Sequence, residues 1–167
     1  KLDIVVSVSK TEQLFRILDN YPPIFEKYLI LIKIYYLFED FEKAVSLFSI
    51  ADSLIRTAKH SLELKLITTK IYQRLGKQKK VKDILDNIAF PHLDRKYYLL
   101  FKDRESVFFF KNGKFMDAIS IEESLIEKFP PTPDNEMMII IAIIYNNLGT
   151  YYSQIKRLDE AQHYFSK

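Results

Sequence analysis

Apolar residues in this chain recur at helical spacing, and short polar stretches between them mark where helices end. The densest apolar runs are "YLILIKIYYLF" (28–38), interrupted by Lys33, and "MMIIIAIIY" (137–145). Both fall short of the roughly 20 apolar residues that a bilayer-spanning helix needs, so both predict buried helices. The second run is more apolar than one buried stripe requires. We assign it to the core, with self-association through Met137 and Met138 as its other use.

Four polar turns divide the helical stretches: "FEDFEKA", "LGKQKKV", "KNGKFMDA" and "QIKRLDEA". Gly76 and Gly113 hold the same place in their turns, as expected where a helix ends in a left-handed residue. The proline-rich segment "FPPTPDNE" (129–136) predicts a longer loop. "SKTEQLFRILDN" (9–20) predicts an amphipathic helix ended by Pro22-Pro23, and the β-branched "LDIVVSVS" (2–8) is read as extended or as part of a preceding helix.

The turns belong to a repeat. Tyr145, Leu148, Gly149, Tyr152, Ala161 and Phe165 fall on the pattern W-x2-L-G-x2-Y…A-x3-F, with Tyr145 in the tryptophan position. Tyr28, Leu31, Tyr35, Ala44, Phe48 and Ala51 keep the same offsets, with Ile32 replacing the glycine. Two weaker copies carry Tyr72, Val81, Leu85 and Ile88, and then Phe109, Ala118, Leu125 and Pro130. The third copy has Glu122 where an aromatic is expected. The key aromatics stand at 35, 72, 109 and 152, intervals of 37, 37 and 43, against about 34 for the standard unit. Small residues such as Ala44, Ala118 and Ala161 would let two helices approach closely, and Tyr35 and Tyr152 would fill the space between neighbours.

This predicts an all-α fold, a right-handed α-solenoid of stacked antiparallel helix hairpins. Residues 1–23 form an N-terminal segment with a partial repeat helix, and 24–167 a repeat domain of about four units, the last truncated. The chain starts at Lys1 and stops without a polar cap, so it is read as continuing in a longer protein.

Composition narrows the function classes. Of 167 residues 48% are hydrophobic, enough for a real core, and glycine and proline are scarce. A net charge of +3 is too small to argue nucleic-acid binding, and the "KQKK" cluster (77–80) lies in a turn rather than on a stripe. Cysteine is absent, which excludes disulfides and thiolate metal sites and fits a reducing, cytoplasmic setting. The three glycines are scattered, so no phosphate loop is present. His60, His92 and His163 lie in different units and are read as packing or surface groups. Glu122 and Glu123 point to different sides of one helix and are not read as a catalytic pair. No enzyme, metal or cofactor is expected.

A binding groove is the better reading. If the key aromatics set the phase, the inner face carries Lys33, Tyr36 and Leu37; Lys70, Gln73 and Arg74; Val107, Phe110 and Lys111; and Thr150, Ser153 and Gln154, with Asn146 beside them. This set has basic, amide and aromatic groups and no carboxylate. Amides can clamp a peptide backbone, cations can hold a carboxylate, and Tyr36 and Phe110 can offer apolar pockets.

On these motifs the chain resembles tetratricopeptide-repeat proteins over most of residues 24–167. The long irregular units, the Lys/Ile/Tyr/Asn-rich helices and "YNNLGTYYSQIKRLDEAQHYF" are similar to the sensory domains of peptide-pheromone-responsive regulators of Gram-positive bacteria, the Rgg, PlcR and Rap group. That resemblance implies a short linear peptide on the concave face, with Asn146 best matching a backbone-clamping asparagine. It also implies a homodimer, and DNA contact through a helix-turn-helix that this chain does not contain. The expected function is peptide sensing, and the alternative is a constitutive protein-interaction scaffold.

Overall fold

In the computed structural model, residues 13–18, 20–129 and 135–167 are described. The expectations for residues 2–8 and for Pro130 lie outside them. Every regular element among the described residues is helical, in agreement with the all-α reading. Residues 13–18 are helical (α1). They are followed by α2 (Phe25–Leu37), α3 (Phe41–Ser46), α4 (Phe48–Ser53), α5 (Ala58–Arg74) and α6 (Gln78–Asp86). After a 3-10 turn at Phe90–His92 come α7 (Arg95–Lys111), α8 (Phe115–Lys128), α9 (Asn135–Gln154) and α10 (Leu158–Phe165). None of the described helices is long and apolar enough to cross a membrane.

The four polar turns fold alike, each closing on the backbone carbonyl of a key aromatic residue. The amides of Asp40, Lys77, Lys114 and Arg157 donate to the carbonyls of Tyr35, Tyr72, Phe109 and Tyr152, at 2.9, 2.9, 3.0 and 3.0 Å. One residue earlier, the amides of Glu39, Gly76, Gly113 and Lys156 donate to the carbonyls of Tyr36, Gln73, Phe110 and Ser153. These two bonds make a Schellman ending, which requires a left-handed residue just past the helix. That residue has φ of 58° at Glu39, 68° at Gly76, 76° at Gly113 and 62° at Lys156.

The next helix starts on the same atoms. The carbonyls of Asp40, Lys77, Lys114 and Arg157 accept from the amides of Ala44, Val81, Ala118 and Ala161. All four of those residues are buried. Asp40 serves both helices, since its carboxylate also caps α3 by accepting from the Lys43 amide at 3.2 Å. Asp94 caps α7 in the same way through the Tyr97 amide, at 2.9 Å.

The break between α3 and α4 was not evident in the sequence. Ser46 Oγ donates to the Lys43 carbonyl at 2.8 Å, and the Leu47 amide reaches Ala44 instead. A serine hydroxyl competing for a helix carbonyl accounts for the local tightening.

The chain forms two compact units, residues 1–71 and 72–167. In the first, α2 packs on α3 and α4. Leu18, Leu31 and Ile34 pack together there, beside Phe15, Tyr28 and Tyr35. In the second, α7 packs on α6, α8 and α9, and α9 packs on α8 and α10. Its core contains Leu99, Ala118, Ile119, Leu125, Ile144, Leu148 and Tyr151. Full burial of side chains such as Ile144 and Leu148 contributes about 1.5–3 kcal/mol each, so this core is the main support of α9.

Candidate functional site

Within the first unit, Lys33 is exposed on α2, and Tyr36 is half-buried with its ring 6.0 Å from Phe41. Lys70 is half-buried near the end of α5.

The second unit holds the other predicted groove residues. Gln73 departs from expectation: it is only 4% exposed, and its amide donates to the Arg104 carbonyl at 3.0 Å. Its side chain satisfies a buried backbone acceptor and does not face solvent. Arg74 is exposed. Lys111 is exposed and its ammonium donates to the Gln73 carbonyl at 3.4 Å. Phe110 is half-buried and stacked on Tyr151, with centroids 4.4 Å apart, so its ring is largely used in packing.

Asn146, Thr150 and Gln154 are exposed along one face of α9, and the Thr150 hydroxyl donates to the Asn146 carbonyl at 2.9 Å. The same face continues toward the helix start as Ile143 (41% exposed) and Ile139 (64%), with Met138 (51%) exposed to one side of it. Met137 is buried. The apolar surplus of "MMIIIAIIY" is therefore split, with one stripe in the core and one on the surface. This surface stripe passes without a charge from aliphatic to amide and hydroxyl groups, because Glu136 is the one charged residue of α9.

A cleft of about 280 Å³ opens between α6 and α7, floored by Leu85, Phe108 and Phe109 and rimmed by Lys82, Asp86 and Lys114. None of the predicted groove residues lines it. The "KQKK" lysines Lys77 and Lys80 lie over the Tyr72 ring, at 6.0 and 5.0 Å from its centroid.

The histidines are dispersed. His60 stacks on Phe25 at 4.2 Å, and its Nε2 lies 3.2 Å from Glu26. His92 and His163 are exposed. Among the described residues no three His, Asp or Glu side chains converge to hold a metal.

The densest polar chemistry lies in the core between α7, α8 and α9, at residues the sequence reading did not select. Asp103 and Ser106 come from α7, Glu122 from α8, and Asn147 and Tyr151 from α9. Ser106 Oγ donates to Glu122 Oε1 at 2.6 Å and lies 2.9 Å from the Tyr151 hydroxyl. Asn147 Nδ2 donates to Asp103 Oδ1 at 2.6 Å and to Glu122 Oε1 at 3.2 Å. Arg104 donates to Asp103 Oδ2 from Nε at 2.8 Å and also from Nη2.

Glu122 is 0% exposed, and its Oε2 is buried without a hydrogen-bond partner. Burial holds its carboxyl well above the usual range, and the nearby Asp103 charge adds to the rise. Burial likewise raises the Tyr151 phenol. Glu123, the neighbour, also turns inward, accepting from Tyr152 at 2.5 Å and from Tyr164 at 3.1 Å. The two glutamates thus both serve packing, each among different helices. One signal pointed to the cluster: Glu122 occupies an aromatic position of the repeat.

No protein-family model matches the chain, and neither curated proteins nor solved structures give a significant match.

Proposed function

We propose that the helix hairpins stack as a tetratricopeptide-type α-solenoid that binds peptide or protein segments without catalysing a reaction. In this reading the chain is the ligand-sensing part of a bacterial, cytoplasmic transcriptional regulator responding to a short peptide. DNA contact would reside outside these 167 residues. Recurrence of one turn geometry four times, at the positions of the repeat pattern, supports the repeat assignment.

The observation that carries the binding assignment is the exposed face of α9. Met138, Ile139 and Ile143 offer apolar surface to alternate side chains of an extended peptide. Asn146, Thr150 and Gln154 follow on the same face, with an amide able both to donate to and accept from peptide backbone. Such a face needs no charged partner, which separates it from a nucleic-acid surface.

The test is fluorescence anisotropy of the protein against a library of short synthetic linear peptides, repeated with Asn146→Ala and Ile139→Asp. Binding that weakens in both variants supports the assignment. Binding untouched by either overturns the α9 face. A chain that binds no peptide, yet carries a folded protein through purification, is the constitutive scaffold instead.

A further inference from the structure

We infer that Glu122 is a buried proton-binding switch: it stays a neutral carboxylic acid while α9 is docked on α7 and α8, and its ionisation undocks α9. The inference rests on the buried cluster and is independent of the peptide-binding reading.

The geometry treats the two buried carboxyls unequally. Asp103 receives the guanidinium of Arg104 on Oδ2 and the Asn147 amide on Oδ1, so its charge is compensated on both oxygens. Glu122 receives only neutral donors, Ser106 and Asn147, and both fall on Oε1. Nothing in hydrogen-bonding range supports Oε2. An ionised Glu122 would add a second negative charge to a sealed site holding a single cation, with one oxygen bare. Proteins escape the cost of such a charge by keeping the group protonated.

The surrounding ionisable groups leave no other source of compensation. From α7 the site faces Asp103 and Arg104, whose charges offset each other. From α9 it faces the Tyr151 phenol, which burial keeps neutral. On α8 itself the neighbouring Glu123 is committed to Tyr152 and Tyr164.

The link to α9 is direct. Asn147 and Tyr151, one turn apart on α9, are the only α9 side chains hydrogen-bonded to the cluster among the described residues. Asn147 bridges both carboxyls with one amide nitrogen. Charging Glu122 sets it against Asp103 in a buried space that α9 closes, and the relief available is hydration of the charge, which water can provide once α9 parts from α7 and α8.

The sign follows from linkage. The folded-state pKa of Glu122 lies above the unfolded value of 4.5, so the folded state binds the extra proton. Stability from this group is full below 4.5 and is lost as pH rises through the folded value.

The experiment compares wild type with Glu122→Gln, a neutral carboxamide of the same shape, by denaturant unfolding across acid to alkaline pH. As pH rises above 4.5, the folded-to-unfolded ratio of wild type should fall relative to the variant, by up to about tenfold per pH unit. Parallel curves would overturn proton binding. Hydrogen exchange of α9 amides, corrected for intrinsic rates, should accelerate at high pH in wild type alone. Equal protection in both proteins would overturn the undocking. If Glu122→Gln does not fold, the infrared spectrum of wild type decides: as pH rises above 4.5 a carboxylic acid band should persist after the exposed glutamates have ionised, and its loss together with theirs overturns the inference.

Discussion

Gly149 on α9 lies against the ring of Phe165 on α10: a Cβ added at Gly149 would meet Phe165 Cδ1 and Cε1 at 2.5 Å. The glycine is there for close approach, since its backbone is not left-handed. Gly149→Ala is expected to destabilise by about 1–2 kcal/mol, with Phe165, 55% exposed, swinging partly away. In a Phe165→Ala background the same change should be neutral or stabilising by up to about 1 kcal/mol, because alanine is the better helix former. A double-mutant cycle in urea measures the difference.

The four helix-ending turns give an opposed pair of outcomes. Glu39 and Lys156 stand in the left-handed position that Gly76 and Gly113 fill elsewhere. Glu39→Gly and Lys156→Gly should each stabilise by about 0.5–1 kcal/mol, the steric relief exceeding the entropy of glycine. Gly113→Ala should destabilise by about 1 kcal/mol. Thermal unfolding reads all three.

Ala118 is fully buried one turn into α8. Ala118→Leu should cost about 1–3 kcal/mol by overpacking, whereas Met116→Ala at an exposed site should stay within about 0.5 kcal/mol. Chemical denaturation separates them.

Within the buried cluster, Arg104→Ala leaves the Asp103 charge buried and uncompensated, and should cost about 3–5 kcal/mol. Ser106→Ala removes a neutral donor and should cost about 1–3 kcal/mol. The reverse order in unfolding experiments would contradict the charge assignment.

On the α9 face, Ile139→Asp and Asn146→Ala alter exposed positions and should shift stability by no more than about 0.5 kcal/mol. Loss of peptide binding in either variant is then readable as loss of contact, about tenfold for each 1.4 kcal/mol.

Much of the helical pattern was legible because its turns are written in backbone requirements. Gly76 and Gly113 announced left-handed helix ends, and the small residues Ala44, Ala118 and Ala161 proved to be buried. The candidate site was less legible. Arithmetic from the key aromatics placed Asn146, Thr150 and Gln154 on an exposed face, and it also placed Gln73, which turned out to be buried. Periodicity tells which side of a helix a residue occupies. It does not tell whether another helix already covers that side.

By itself the sequence determined four helix-ending turns, their spacing and the apolar stripes of the helices between them, since each depends on local chain geometry and a helical period. Tertiary structure alone decided which polar residues are internal. Asp103, Ser106, Glu122, Asn147 and Tyr151 come from three helices and are separated by up to 48 positions in the chain. Their hydrogen bonds and charges act only once α7, α8 and α9 have excluded water from between them.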